Sequence, residues 1–376
     1  MRFKKKTKKP TIVIHSNYHP NNIGGIESVV SQLIKICMHF DVNLKCIFGS
    51  ERSSISYKDS YGILMISRKI LFKISGAPIL NFGNFSLLFH ARNASVLIFQ
   101  EPFPFLWPAI FILKIFFHVQ IILIVHADPV ASSVVTKLYS FFRSFVFRGS
   151  ICVSTSPNLM DKIADIKSSL KKVIPLGIPD SDLALLNAIK KTRYALYVGR
   201  LADYKGLKYL LLAAQKSKEV NYVIAGSGTE SEMIESFILE NEISNIKFLN
   251  RFISENEKLD LIANCAFLIF PSTSENEAFG LVQLEAMRSS KPVINTWLDS
   301  GVNFVAPDKL CAITVNKCDS DDLLRAVKFL WDNPIVANSL GINGRKRYLE
   351  NFTEERFVND WKKLLNKLDL ISYHEK

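Results

Sequence analysis

Within the stretch Pro271-Ser-Thr-Ser-Glu-Asn-Glu-Ala-Phe-Gly-Leu-Val-Gln-Leu-Glu-Ala-Met287, Glu277 and Glu285 bracket a loop-to-helix junction, with seven residues between them. An apolar run, Ala266 to Phe270, leads into it, and Gly280 opens a helix inside it. A strand that turns into a helix N-terminus binds anions, because the first backbone N–H groups lack partners and the helix dipole adds positive potential. Two carboxylates beside such a site would repel a phosphate unless they bind something else, and sugar hydroxyls suit them. Glu285 lies four residues after Leu281 and beside Leu284, so it shares a partly buried helix face and needs a hydrogen-bonded partner. A ribose diol would serve. Glu277 precedes the helix and projects toward whatever its N-terminus binds.

Four other junctions combine strand ends with reactive or glycine residues. In Tyr197-Val-Gly-Arg-Leu-Ala-Asp-Tyr-Lys-Gly206, Arg200 offers a planar fork to phosphate oxygens and Lys205 a point charge. Together they could neutralise a diphosphate, although an ordinary charged loop has the same composition. Gly226 and Gly228 follow a strand in Ala225-Gly-Ser-Gly228, where glycine lets backbone approach a ligand, a pattern common enough to be weak alone. Gly24 and Gly25 open the helix near Ile26 and read equally as a ligand loop or a plain turn. His126-Ala-Asp128 ends the buried run Ile121 to Val125, where polar residues point at a ligand crevice or simply cap the chain.

These residues need a scaffold, and the chain supplies one. Short apolar runs alternate with helical segments, which predicts α/β architecture with parallel sheets covered on both faces. Thr11 to His15, Leu44 to Phe48, Ile63 to Ile66, Val96 to Phe99, Ile121 to His126 and Ile151 to Ser154 form one set of strands. Tyr194 to Val198, Tyr222 to Ala225, Ile246 to Leu249, Ala266 to Phe270 and Pro292 to Asn295 form a second. Two prolines and a glycine near Val173 to Asp182 mark a break, so the linker is expected at about 174 to 192. Two doubly wound domains should present strand carboxyl ends to a shared central cleft. The final segment, Thr353 to Leu370, reads as an amphipathic helix with Phe357, Trp361, Leu364, Leu365 and Leu368 on one face.

Composition narrows the class. With 376 residues, 48% hydrophobic and 22% charged, the chain is globular and large enough for two cores. No apolar stretch reads as a membrane span: Phe103 to Val125 carries Lys114, His118 and Gln120. The basic N-terminus runs straight into a strand, without a signal-peptide core, and the cytoplasm is the expected location. Six cysteines form no CxxC pair, and no His/Cys cluster has metal-ligand spacing. The net charge of +12 calls for an anionic partner. Lys137, Arg143 and Arg148, interleaved with Phe141, Phe142, Phe145 and Phe147, fit an anionic membrane surface. The alternative is a core-facing aromatic stripe with a basic edge. No nucleic-acid motif is present.

Gly24-Gly25 with Glu27, His126, Gly199-Arg-Leu with Lys205-Gly206, Gly226-x-Gly228, and Glu277-Ala-Phe-Gly followed by Glu285 occur in one order along residues 12 to about 360. In this the chain resembles the retaining GT-B glycosyltransferases of family 4, the glycosyl transferases group 1, of the bacterial polysaccharide-assembly type. The Glu pair combined with the Arg/Lys loop is the specific part. Arg288-Ser-Ser-Lys-Pro292 lacks a glycine that many relatives carry, and Asp299 to Val305 falls in a variable segment.

The resemblance implies two Rossmann-like domains, 1–175 for the acceptor and 176–352 for the nucleotide-sugar, with 353–376 a helix returning to the first. It implies that Arg200 and Lys205 hold the donor diphosphate and stabilise the leaving group, with His126 beside the reacting centre. Backbone at Ala278, Phe279, Gly280 and Leu281 would bind the distal phosphate, Glu277 the transferred sugar and Glu285 the ribose. Gly24 and Gly25 would shape the loop between donor and acceptor, and Phe252 and Ile253 would pack the base. Transfer would follow a front-face, oxocarbenium-like route without an enzymic nucleophile, so the carboxylates are not a glycosidase pair. The donor would be GDP-mannose or a UDP-hexose, with no cofactor and no metal. The acceptor would be a saccharide on a polyprenyl diphosphate, in O-antigen, capsule or related assembly at the inner face of the plasma membrane. A sugar-nucleotide epimerase of the same fold and a catalytically silent donor-binding or scaffold subunit are the alternatives.

Overall fold

Apolar runs too short for helices become buried strands, and in the computed structural model they assemble two separate parallel sheets. The structure describes residues 9–20, 25–74, 77–126, 133–180 and 193–368. Gly24, Asp128 and the 181–192 part of the linker lie outside them. The chain divides into one unit ending at Ile174, joined by the segment from Phe357 onward, and a second unit of Pro175–Arg356.

The first unit holds β1 (Thr11–Ser16), β2 (Asn43–Ser50), β3 (Ser56–Lys58), β4 (Leu64–Ile74), β5 (Ala77–Leu80), β6 (Val96–Glu101), β7 (Gln120–Val125), β8 (Ile151–Ser154) and β9 (Leu170–Val173). The order is β3-β4-β2-β1-β6-β7-β8-β9, with β5 on β4. Pairing is parallel except where β3 and β5 meet β4. Strand β4 runs well past the expected Ile63 to Ile66. Its outer half carries Arg68, Lys69 and Lys73 around the short run Ile70 to Phe72 and leaves Leu71 and Phe72 exposed, so it lacks the pattern of a buried strand.

The second unit holds β10 (Ala195–Val198), β11 (Tyr222–Gly226), β12 (Ile246–Asn250), β13 (Phe267–Phe270), β14 (Val293–Thr296) and β15 (Ala312–Val315). All pair in parallel, in the order β12-β11-β10-β13-β14-β15. Every residue of β10, β11, β13 and β14 is buried, as strands covered on both faces require. The chain winds outward through β11 and β12, then returns to place β13 on the other side of β10. The crevice beyond the carboxyl ends of β10 and β13 is therefore the topological switch point, where ligands bind in such sheets.

One reading needs correction. In the helix Ser133–Phe147, Arg143 and Phe147 do not belong to a basic-aromatic surface. Arg143 is buried, donating to the Lys162 carbonyl at 2.9 Å and to Asp165 at 3.3 Å. Phe147 packs 6.0 Å from both Phe99 and Trp107 in the first core. Phe141, Phe142 and Phe145 do face outward. The helical period separates them: residues 143 and 147 share the inward stripe. The division into units falls at Arg356–Phe357, inside the helix Glu354–Lys367, which buries Phe357, Trp361, Leu364 and Leu365.

Candidate functional site

Three loops meet at the switch point of the second sheet, and backbone contact holds them together. Gly206 has φ of +70°, and a Cβ there would lie 2.0 Å from the Pro271 carbonyl oxygen. The Thr273 amide donates to the Tyr204 carbonyl at 2.8 Å. The loops after β10 and β13 are thus fixed in register on either side of the crevice. The loop after β11 joins them through Gly226, where φ is +150° and a Cβ would stand 1.9 Å from the Gly199 oxygen. Gly228 lies equally close to the backbone of Leu201. The close approach expected of Gly226 and Gly228 is therefore to the Arg200 loop itself.

That stitching brings Lys205 and Glu277 together from positions 72 residues apart, and the Lys205 ammonium pairs directly with the Glu277 carboxylate. Both side chains are mostly buried, at 14% and 13% exposed. Lys205 also lies over the rings of Tyr204 and Phe270, at 5.1 and 5.3 Å. Ser272 donates to the same Glu277 oxygen at 3.3 Å. Arg200 stands exposed at the head of its loop, and no partner engages its guanidinium among the described residues. Across the crevice, the helix Leu281–Arg288 begins directly after Gly280. Phe279 turns inward, 6.1 Å from Phe352, and the Ala278 carbonyl accepts the Gly301 amide at 2.9 Å. The segment 278–281 is therefore pinned by its side chain and one carbonyl.

Glu285, one helical turn further in, has a protein partner the sequence did not reveal. Lys258 Nζ donates to its Oε1 at 2.7 Å. Burial pushes the Glu285 carboxyl above its usual range, with Lys258 pulling the other way. Burial would lower Lys258, but the charges of Glu285 and Glu255 outweigh it and hold the ammonium above its usual value. The second oxygen, Oε2, is buried and without a partner among the described residues. Phe252 follows β12 with its ring 65% exposed, and Ile253 is half-buried beside it. Arg251 is held by Glu257 at 2.7 Å.

The remaining expected residues lie on the first unit. Gly25 is the first residue of the helix Gly25–Met38. His126 follows β7 directly and is buried, its Nε2 2.5 Å from Gln100 Oε1 at the end of β6. His15, at the end of β1, is wholly buried between the rings of Phe99 and Phe103, at 4.9 and 4.7 Å. Burial lowers both imidazoles from their ordinary 6.5, to about 3 for His15 and about 4 for His126. Their folded values lie below the unfolded one, so the stability they protect is complete above about pH 6.5 and is lost as pH falls toward 4. At pH 5 the His15 share is about 2 kcal/mol. His15→Leu should therefore remove about that much of the drop in urea stability between pH 7.5 and pH 5. An unchanged drop would contradict a neutral buried imidazole.

Among the described residues, no group of three or more His, Cys, Asp or Glu side chains could hold a metal ion, and no helix is long and apolar enough to cross a membrane. Residues 184–347 match the family described as Glycosyl transferases group 1. The O-antigen chain mannosyltransferase C of Escherichia coli is 27% identical, over 94% of this chain and 97% of its own length. The D-rhamnosyltransferase WbpZ of Pseudomonas aeruginosa is 24% identical, over 90% of this chain and 91% of its own. Among solved structures, sucrose-phosphate synthase from Thermosynechococcus elongatus superposes with a TM-score of 0.74 at 19% identity, covering 96% of this chain and 99% of that one. Anabaena HepE, solved with UDP and glucose, superposes with a TM-score of 0.70 at 14% identity, covering 95% of this chain and all of that one. The fold is that of the GT-B glycosyltransferases.

Proposed function

We infer that this chain, which belongs to the glycosyl transferases group 1, is a glycosyltransferase that moves a hexose from a nucleotide-diphospho-sugar to a saccharide acceptor with retention of configuration. The observation that carries the donor reading is the pairing of unlike groups at one switch point: Arg200 and Lys205 on one wall, Glu277 and Glu285 on the other. Arg200 and Lys205 would take the diphosphate, and the start of the helix Leu281–Arg288 would take its distal phosphate. Glu277 would then turn from Lys205 to sugar hydroxyls. Glu285 Oε2 is the buried acceptor that a ribose diol would satisfy. Phe252 supplies an exposed ring for the base, GDP and UDP being the candidate carriers. With two cations and a helix terminus on the diphosphate, transfer should need no divalent metal, and rates should be unchanged in EDTA.

Thermal unfolding against a panel of GDP- and UDP-sugars tests the donor. A ligand at a hundred times its Kd adds about 2.7 kcal/mol, and a unit of this size should gain roughly 5–10 °C in Tm. Glu285→Gln should cut that gain sharply while leaving the unliganded Tm nearly unchanged, since Lys258 retains Glu255 at 3.0 Å. No gain with any nucleotide-sugar would end the reading.

One of these relatives is named for O-antigen chain mannosyl transfer and the other for D-rhamnosyl transfer, and we place this chain in surface-polysaccharide assembly on a polyprenyl-diphosphate-linked acceptor. An anionic membrane partner is favoured by one surface of the first unit. The helices Gly83–Ala91, Trp107–Phe116 and Ser133–Phe147 pack side by side. They expose Phe85, Phe89, Phe116, Phe141 and Phe145. Between residues 60 and 160 the only acidic residues are Glu101 and Asp128, and Glu101 is buried. Aromatic rings with Arg92 and Arg148 nearby suit the headgroup boundary at the inner face of the plasma membrane. The protein should float with phosphatidylglycerol vesicles. Phe141→Ser with Phe145→Ser should weaken that binding at least tenfold without changing the secondary structure.

A further inference from the structure

We propose that Gln100 is a positioning residue for transfer: its carboxamide fixes His126 in the form protonated on Nε2, so that Nδ1 accepts a hydrogen bond from a substrate hydroxyl. The inference rests on the transfer reading, in which His126 meets substrate.

The β6–β7 register pairs Gln100 with Ile124, so His126, two residues on, lies on the same face of the sheet as Gln100. Its Nε2 is 2.5 Å from Gln100 Oε1. A carboxamide oxygen only accepts, so with that oxygen facing the ring the proton sits on Nε2. Nδ1 is left with a lone pair and no proton. Gln100 is wholly buried, and water does not compete for that oxygen. Burial also keeps the ring singly protonated at neutral pH, since its pKa lies at about 4.

The surroundings are prepared for a polar ligand. The register that pairs Ile14 with Ile98 carries Ser16 alongside Gln100, and the one that pairs Val125 with Ser154 carries His126 alongside Thr155. Ser16 Oγ, Gln100 Nε2 and Thr155 Oγ1 are all buried without partners among the described residues. Strands β1, β6, β7 and β8 are consecutive in the sheet, so these groups gather along one carboxyl edge. Leaving buried polar atoms unsatisfied opposes folding, and a hydroxyl-rich ligand would offset that. An apolar row would pack the same strands without the penalty.

The test is long-range 1H–15N spectroscopy of the full-length protein labelled on histidine, with the His126 signal assigned by loss in His126→Asn. The expected spectrum has Nε2 protonated and Nδ1 bare. Gln100→Leu should mix the two ring forms and lower kcat/KM roughly tenfold, the worth of one hydrogen bond. Gln100→Glu keeps an acceptor oxygen and should restore both the ring form and most of the rate. A ring protonated on Nδ1, or a spectrum indifferent to Gln100→Leu, overturns the assignment. A changed ring form with full transfer overturns the role in transfer. Failure of the transfer reading would show separately, as absence of transfer by the unaltered enzyme, because the ring spectrum is read without turnover.

Discussion

Lys205→Ala should lower the transfer rate about a hundred- to a thousandfold, the usual cost of removing one preorganised charge from a site where negative charge develops. The leaving nucleoside diphosphate gains charge as the glycosidic bond breaks, and Lys205 sits on a loop that cannot drift away. The Gly206–Pro271 contact and the Thr273–Tyr204 hydrogen bond hold it. A flexible lysine would spend part of its attraction on ordering itself, whereas this one is already placed by Tyr204, Phe270 and Glu277. The variant also strips Glu277 of its cation in a largely buried position, which is unfavourable in itself. A double-mutant cycle with Glu277→Ala separates the two effects. Stability losses should be strongly non-additive because the groups touch. Donor affinity, read by calorimetry, should fall chiefly with Lys205, and kcat with both. Equal kcat for Lys205→Ala and the unaltered enzyme would remove this residue from the chemistry.

Gly226→Ala should be the most damaging single methyl in the second unit. The added carbon would stand 1.9 Å from the Gly199 carbonyl oxygen, against the backbone of a buried strand end, at a φ of +150° that side chains rarely adopt. Nothing flexible is available to yield. Either β11 separates from β10, or the loop bearing Arg200 is pushed off its seat. A cost of about 3 kcal/mol or more is expected, which is about 10 °C in Tm for a unit of this size. Transfer should fall with it, since the displaced loop carries both cations proposed to hold the diphosphate. Circular dichroism melting checks the first part, and residual activity well below the melting point checks the second. A variant with an unshifted Tm would show that the loops are not bound as tightly as their backbone contact requires.

Much of the scaffold could be read in advance because it is made of short, fully buried runs. Ile151 to Ser154 is a strand at the expected bounds. The strands that escaped are those without such a signal. β9 reads Leu-Lys-Lys-Val, and β15 reads Ala-Ile-Thr-Val with its middle only half-buried. Within the candidate site, residue types were visible and partnerships were not. Nothing local says that Lys258, on the helix Glu255–Asn264, reaches Glu285 on another helix, because the contact is set by how two helices pack. Gln100 was invisible for the same reason: it follows the apolar run Val96 to Phe99, and its importance depends on what stands across the sheet. Arg143 was misplaced because composition shows that a helix is basic and aromatic, while only its phase against the core decides which residues face out.

The helix Glu354–Lys367 bears on how the protein is made. Its residues from Phe357 onward belong to the unit that begins at the other end of the chain, and it contributes Phe357, Trp361, Leu364 and Leu365 to buried positions. A ribosome delivers chain from the N-terminus, and domains ordinarily close in that order. Here the earlier unit must wait for the helix Glu354–Lys367 to emerge, while Pro175–Arg356 can close first. Until that helix has emerged, the first unit lacks these four buried side chains, and holdase binding or proteolysis of nascent chains should concentrate on it.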